Sequence, residues 1–464
     1  MFFDIICCID LNNGFGYYEK NNFILPWENE NNLLFFKNKT SYVEIPTKKN
    51  IVLMGNNTHY SINMVLPNIL NIVVSKTKIN NDKIITIPSF DKVFNYLDNI
   101  ENIFVIGGIQ LIESILNHPK LRYIYINKIN KVYKCNIHLT ELINNKQFNI
   151  ISNNLIDNIN FYKLENNLYT DENNYLKLLK NVLYNGEKRQ TRNAIIYSLF
   201  SHKLKFDLID KFPILTTKNV FFRGIVEELL WFLKGETNSK ILENKKVNIW
   251  KGNSSKKFLE KIGLEYNEGD IGNMYGFQWN HFGTEYNSCD KNYDGKGYNQ
   301  LDYILNTLID NHHSRRIIMT TFDPSQVKKG VLYPCHGIVC QFYINEDEGI
   351  RYLSCHMYQR SADMFLGVPF NITSYSLLCY VICEILNNTS QFIYKPKELT
   401  ISFGDLHVYE NHREAVLEQI DRLPFEFPTL KFNKKIKNFN DLKYGDIELN
   451  NYFYHPSIKA NMVI

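Results

Sequence analysis

The feature that most constrains this chain of 464 residues is a change of hydrophobic period near residue 170. Ahead of it, short β-rich runs at 5–11, 51–54, 70–74, 84–87, 103–106 and 123–129 alternate with helical patterns at 33–39, 58–62, 90–97 and 110–116. Alternation at that spacing predicts an α/β unit, with helices packed on the faces of a sheet. Beyond it, apolar residues fall at helical spacing over 175–183, 225–233, 301–309 and 375–386, with strands such as 338–343. That half reads as α+β. No internal repeat is present. The expected organisation is two domains, 1–155 and 173–464, joined by a polar, weakly patterned linker at 156–172.

Composition narrows the class. Lys and Arg number 52 against 48 Asp and Glu, a net charge of +4. So mild an excess does not argue for wrapping nucleic acid, and none is required, but it suits small anionic substrates. No apolar run approaches the roughly 20 residues of a membrane span, and the best stretch, 377–386, is broken by Glu384. The start carries an early acid and no basic leader. Nine scattered cysteines do not form a disulfide framework. A reducing, cytoplasmic setting with no membrane association is expected. Only ten of the basic residues are arginine, so each is a suspect for phosphate or carboxylate recognition by its planar fork.

The sharpest segment is Tyr333-Pro334-Cys335-His336, leading into a β run. A cysteine there is either a small buried residue or a nucleophile, since cationic neighbours favour the reactive thiolate. A zinc site built on Cys335, Cys340 and Cys355 is disfavoured, because closed-site spacings are missing and an odd offset puts Cys335 and Cys340 on opposite faces of a strand; no metal is expected. The company of Cys335 favours chemistry. Arg315-Arg316 precedes it, Gln359-Arg360-Ser361 with Asp363 and Asn371 follows, and Asp405, His407 and Tyr409 alternate on one strand face.

From about 175 to the end, these motifs resemble thymidylate synthase: FPILTTK at 212–218, EELLWFLKGETN at 227–238, DIGNMYGFQW at 270–279, the Pro-Cys-His segment and the terminal His455-Pro456. The resemblance implies an α+β thymidylate synthase fold that methylates dUMP to dTMP, with 5,10-methylenetetrahydrofolate as carbon donor and reductant. It makes Cys335 the nucleophile at C6 of the pyrimidine, with surrounding cations favouring its thiolate. It makes Glu228 the organiser of protons and Asn371 the partner of the uracil edge, and places Tyr275, His336 and Asp363 among the catalytic positions. Arg192, Gln359, Arg360 and Ser361 would bind dUMP with Asp363 and Asn371, and His407 and Tyr409 would hold the ribose. Arg315 and Arg316 would arrive from the other subunit of a homodimer. Trp250, Asn253, Asp363 and Val463 match folate-contacting positions. Arg192 is placed by allowing a one-residue deletion, with Arg189 as the alternative. Glu227, beside Glu228, is expected to be exposed. Hydroxymethylation of dCMP on the same fold is the rival, and Asn371 favours uracil because cytosine calls for an acid at that edge.

The first 150 residues resemble dihydrofolate reductase: Gly14-Phe15-Gly16, Leu25-Pro26-Trp27, VLMGNNTHYSI at 52–62 and Val105-Ile106-Gly107-Gly108. The resemblance implies an α/β reductase domain using NADPH. Gly55, Thr58, Gly107 and Gly108 would lie at its phosphates, and Ser75 and Lys76 at the 2′-phosphate. Trp27 and Asn32 would lie in the folate pocket. Departures cluster in that pocket. Asn32 stands where the family has Asp or Glu, Ile69 and Asn56 stand where it has arginines, and Asn127 where it has threonine. Glu30, about 200° round the helix, cannot stand in for the missing acid. The order of the two parts resembles the bifunctional dihydrofolate reductase–thymidylate synthases. The alternative is a synthase whose reductase domain is a non-catalytic scaffold.

Overall fold

The computed structural model describes residues 2–19, 22–118, 120–145, 147–166, 170–191 and 194–462. The chain divides into two compact units, Met1–Thr170 and Asp171–Ile464. The first unit runs β1 (Phe3–Ile9), β2 (Gly14–Glu19), β3 (Asn22–Ile24), α1 (Glu30–Ser41), β4 (Lys49–Gly55), α2 (Asn56–Ile62), β5 (Leu70–Val74) and β6 (Ile84–Ile87). It continues with β7 (Ile100–Gly107), α3 (Ile109–Ile115), β8 (Leu121–Ile129), β9 (Ile137–His138), β10 (Phe148–Ile156) and β11 (Ile159–Asn166). The main sheet has the order β10-β11-β8-β1-β7-β4-β5-β6. Its pairings from β8 to β6 are parallel, and an antiparallel hairpin closes one edge.

Three expectations for this unit are corrected. The linker at 156–172 is largely strand: β11 pairs with β8, and Ile159, Phe161 and Leu164 are buried in the sheet. Interleaved Asn and Lys residues hide that apolar pattern in the sequence. The first strand stops at Ile9, because the Asp10 carboxylate accepts the backbone N–H groups of Asn12 and Gly14 and turns the chain. The segment at 90–97 forms a 3₁₀ turn, Phe90–Asn95, burying Phe90 and Val93 at the i,i+3 spacing of that helix.

The second unit begins with α4 (Thr170–Asn185), β12 (Glu187–Gln190), β13 (Ile195–Asp207), α5 (Phe222–Leu233), α6 (Lys240–Asn244), α7 (Lys256–Ile262), α8 (Gly276–His281) and α9 (Gln300–Asp310). Then come β14 (Ile318–Met319), β15 (Val339–Asp347), β16 (Ile350–Asp363), α10 (Gly367–Thr389), β17 (Ile393–Tyr409) and α11 (Arg413–Ile420). Six strands form one sheet in the order β12-β13-β17-β16-β15-β14, with β18 (Thr429–Phe432) and β19 (Ile447–Asn450) as a separate ribbon. At 23 residues α10 is long and apolar enough to cross a membrane, yet most of it is buried within this unit as its core helix. The sequence pattern understated it, since Asn371, Thr373 and Ser374 interrupt the apolar run but are buried too.

Glu172 at the start of α4 shows how this core is tied together. Its fully buried carboxylate accepts the backbone N–H and hydroxyl groups of both Thr216 and Thr217 at 2.7–2.9 Å. Glu172→Ala strands those donors and is expected to destabilise the second unit by about 3–5 kcal/mol. The check is the urea midpoint of its unfolding transition.

Candidate active sites

In the second unit the nucleophile candidate is fixed through its backbone. Cys335 N–H donates to Tyr275 Oη at 3.1 Å, and the N–H of Arg360 donates to Cys335 O at 2.9 Å. Arg360 also donates from Nε to Pro334 O (2.7 Å) and from Nη2 to Tyr333 O (2.8 Å), which brings Nη2 to 3.7 Å from Cys335 Sγ. The expectation that cations hold this thiol down is corrected within the single chain. Burial raises the Cys335 thiol, and Arg360 offsets only part of that.

Aromatic packing links the rest. The Tyr275 ring stacks on His336 with centroids 4.4 Å apart and lies 5.8 Å from Trp250. Trp250 Nε1 donates to Glu228 Oε1 at 2.8 Å. Burial pushes the Glu228 carboxyl up to about 7, against that one bond. His336 is enclosed and pushed down to about 3, so it is neutral at pH 7, and its Nδ1 meets Tyr375 Oη at 2.9 Å. Glu227 is buried rather than exposed: α5 is enclosed on all sides from Gly224 onward, and Glu227 pairs with Lys245 at 2.6 Å.

Strand register assembles the polar groups. β16 and β17 run parallel with Ser361 opposite Asp405 and Asp363 opposite His407. Asp405 accepts from Ser198 Oγ at 3.0 Å and meets His407 Nδ1 at 3.1 Å, and Tyr409 crosses His407 edge-on at 5.2 Å. Asp363 Oδ1 accepts the N–H groups of Phe365 and Leu366 and so turns β16 toward α10. Gln359 Nε2 donates to Asn371 Oδ1 at 3.0 Å, leaving the Asn371 amino group for a ligand. Asn253 is buried between α6 and α7. Arg315 and Arg316 are exposed, and neither guanidinium forms an ion pair among the described residues. Arg189 is committed to Glu187, while Arg192 and Val463 lie outside the described residues.

Two residues were not singled out from the sequence. Tyr375 falls one helical turn after Asn371, a spacing that puts both on one face of α10 and could have flagged it. Lys218 ends an apolar run, is buried, donates to Phe365 O at 2.5 Å and is pushed down to about 7 by desolvation.

In the first unit, Gly55, Ser75 and Gly107 sit at the carboxyl ends of three neighbouring parallel strands, β4, β5 and β7, where open α/β sheets bind ligands. A cleft of about 910 Å³ opens there, lined by Gly55, Thr58, Ser75, Lys76 and Gly108. Two glycines at these strand ends are closely packed, and Gly107 also adopts a backbone conformation that side chains disfavour. A Cβ on Gly107, at φ +144°, would lie 2.9 Å from Thr58 Oγ1, and one on Gly55 would lie 3.2 Å from Gly108 N. The space, the glycine-lined strand ends and one lysine fit a phosphate-bearing dinucleotide. Trp27 and Asn32 lie apart from this lining, and Asn32 Oδ1 accepts from Asn127 Nδ2 at 2.7 Å.

Each unit thus carries a candidate site of its own, one built around a thiol and a buried carboxyl, the other around a glycine-lined cleft. The chain belongs to the bifunctional dihydrofolate reductase–thymidylate synthase family. The family model described as dihydrofolate reductase matches residues 2–170, and that described as thymidylate synthase matches 173–464. The bifunctional dihydrofolate reductase-thymidylate synthase of Paramecium tetraurelia is 36% identical over 480 residues, covering 100% of this chain and 99% of that protein. The namesake from Zea mays is 34% identical over 498 residues (95% of this chain, 94% of the relative), and that from Leishmania major 34% over 512 (100% and 95%). These families use folate and NADPH.

Proposed function

We propose that the second domain methylates dUMP to dTMP, with 5,10-methylenetetrahydrofolate as co-substrate. The observation that carries this reading is the Cys335–Arg360–Tyr275 arrangement beside Glu228 and Asn371. The Cys335 thiolate adds to C6 of the uracil ring, and C5 becomes the carbon that attacks. Arg360 and Ser361 hold the phosphate, and His407 and Tyr409 the ribose. Asn371, oriented by Gln359, donates to the ring oxygen. Glu228 holds and moves the protons. The folate supplies a methylene group and a hydride, leaving as dihydrofolate. Formation of dTMP and dihydrofolate from dUMP, with dCMP inert, is the test; turnover of dCMP alone would reverse the substrate assignment.

Homodimerisation through this domain is part of the proposal. Val339 and Tyr343 of β15, Tyr358 of β16 and Ile318 of β14 expose apolar side chains, and Val339 pairs directly with Tyr358. Such a face favours a second copy. The free guanidinium groups of Arg315 and Arg316 would reach the partner's phosphate site, adding the cations that Cys335 lacks within one chain. Mixing and reassociating Arg316→Ala and Cys335→Ala proteins should then restore about a quarter of the sites, since half the dimers are mixed and each regains one intact site. No recovery would place Arg316 in its own subunit's site.

The first domain, in this proposal, reduces dihydrofolate with NADPH held by Gly55, Thr58, Ser75, Lys76, Gly107 and Gly108. NADPH supplies a hydride. With Asn32 unable to ionise, the proton comes from water, and Asn32→Asp is expected to accelerate NADPH oxidation roughly 10²-fold, the lower end of general acid catalysis. The nine free cysteines support a reducing, cytoplasmic setting.

A further inference from the structure

Apart from the lining of that cleft, the first unit carries buried polar atoms that are poorly satisfied among the described residues. Cys8 of β1 and Asn127 of β8 are paired in register on parallel strands, so their side chains share one face of the sheet. Over that face lies the Trp27 indole, packed with Cys8, Phe35 and Tyr133. Asn127 is 1% exposed, yet its Oδ1 accepts no hydrogen bond. Trp27 Nε1 has no nitrogen or oxygen partner among the described residues, and its N–H is met only by the weakly accepting Cys8 thiol. Native folds leave few buried polar atoms without a partner, and the unmet Asn127 Oδ1 marks a place where a ligand's donor can be received.

The charge of that seat is the informative part. Asn32 and Asn127 satisfy each other through one bond of 2.7 Å. Whichever way the two amides are turned, that bond uses one carbonyl and one amino group, and it leaves one carbonyl and one amino group for a ligand. The other walls are neutral. Cys8 is buried and its thiol pushed far up, so it stays protonated. The nearby carboxylate of Asp10 is consumed by the backbone N–H groups of Asn12, Gly14 and Tyr133. Asp4 is locked in a bidentate pair with Arg122. Glu30 precedes Asn32 by two positions on α1, on another side of the helix, and Lys39 lies over the Tyr125 ring.

We propose that this pocket accepts a 2-amino-4-oxo heterocycle in its neutral form and does not favour a cationic 2,4-diamino ring, with Asn32 and Asn127 setting that preference. The proposal rests on the reading of this unit as the folate-reducing domain. A lactam edge presents ring N–H and amino donors beside an oxo acceptor, which one free carbonyl and one free amino group can meet. A diamino ring gains a proton on binding only where an anion receives it. Against two amides, the buried cation has no counter-charge, and its desolvation is left uncompensated.

The test is isothermal titration calorimetry of the full chain saturated with NADPH, using two ligands of one skeleton: 2-amino-6-methyl-4-oxopteridine and 2,4-diamino-6-methylpteridine. Wild-type protein is expected to bind the two within about tenfold of each other. Asn32→Asp is expected to raise diamino affinity roughly tenfold or more, the scale of a charge-assisted bond, without a matching gain for the oxo ring. If that variant fails to take up NADPH, Asn127→Asp introduces the charge from the opposite wall. Wild-type preference for the diamino ring by about 100-fold, unchanged in the Asp variant, overturns the proposal and leaves the reductase reading standing. Uptake of NADPH with neither pteridine bound overturns both.

Discussion

A Cys335→Ala chain is expected to lose dTMP formation by roughly 10⁴-fold or more while still binding dUMP, as when the nucleophile of a covalent pathway is deleted. With the phosphate proposed to be held by the arginines, the loss is expected to fall on kcat rather than on substrate binding. Cys335→Ser is expected to be nearly as inactive, because a hydroxyl ionises far less readily than a thiol. Burial raises the thiol and Arg360 opposes it, so Arg360→Ala should shift the acid limb of the rate profile to higher pH as well as weaken the proposed phosphate site. With 5-fluoro-dUMP and methylenetetrahydrofolate, C5 cannot shed its substituent as a proton, and the covalent adduct accumulates. Peptide mapping of that adduct should return Cys335. An adduct on another residue, or a Cys335→Ala protein within tenfold of wild type, sinks the mechanism.

How far this could be read in advance differs between the two units. Motifs that are contiguous in the chain carried the candidate synthase site: Arg360, Asn371 and His407 stand on the long elements β16, α10 and β17, and Cys335 on the segment leading into β15. The alternation of Asp405, His407 and Tyr409 was legible, whereas the register of β16 with β17 that brings Ser361 and Asp363 alongside Asp405 and His407 was not. Burial was less legible. Glu227 looked like a solvent-facing charge, and only the complete enclosure of α5 and the approach of Lys245 reveal a buried ion pair. The thiol of Cys335 looked cation-stabilised, because the nearby arginines could be counted while the desolvation opposing them could not. In the first unit the strands from β4 to β6 fell where the apolar runs predicted. The edge hairpin did not, since β10 is exposed along nearly its whole length and alternates no better than a loop. The Asn32–Asn127 bond joins residues 95 apart in sequence. The sequence placed both departures in one pocket, but only the fold shows that they satisfy one another.

Glu228 sets stability against activity, and the two effects can be measured on one variant. Its carboxyl is fully enclosed, receives one hydrogen bond, from Trp250, and is pushed up from an ordinary value of 4.5 to about 7. A carboxyl held above its unfolded value penalises the fold once the unfolded chain can ionise. The penalty is absent below about pH 4, grows as pH rises between 4.5 and 7, and is complete above 7. The gap corresponds to about 3 kcal/mol. Glu228→Gln keeps the Trp250 bond, since a carboxamide oxygen accepts as a carboxylate does, and it removes the charge. At pH 8 the variant should therefore be more stable than wild type by up to about 3 kcal/mol, with the difference vanishing near pH 4; denaturant midpoints of the second unit's transition at the two pH values check this. If Glu228 carries protons as proposed, the same substitution should lower kcat roughly 10²- to 10⁴-fold. Any pH dependence of kcat centred near 7 should disappear with it. A variant less stable than wild type at pH 8 would show that the carboxyl is not penalised by burial, and one that turns over normally would show that it is not engaged in the chemistry.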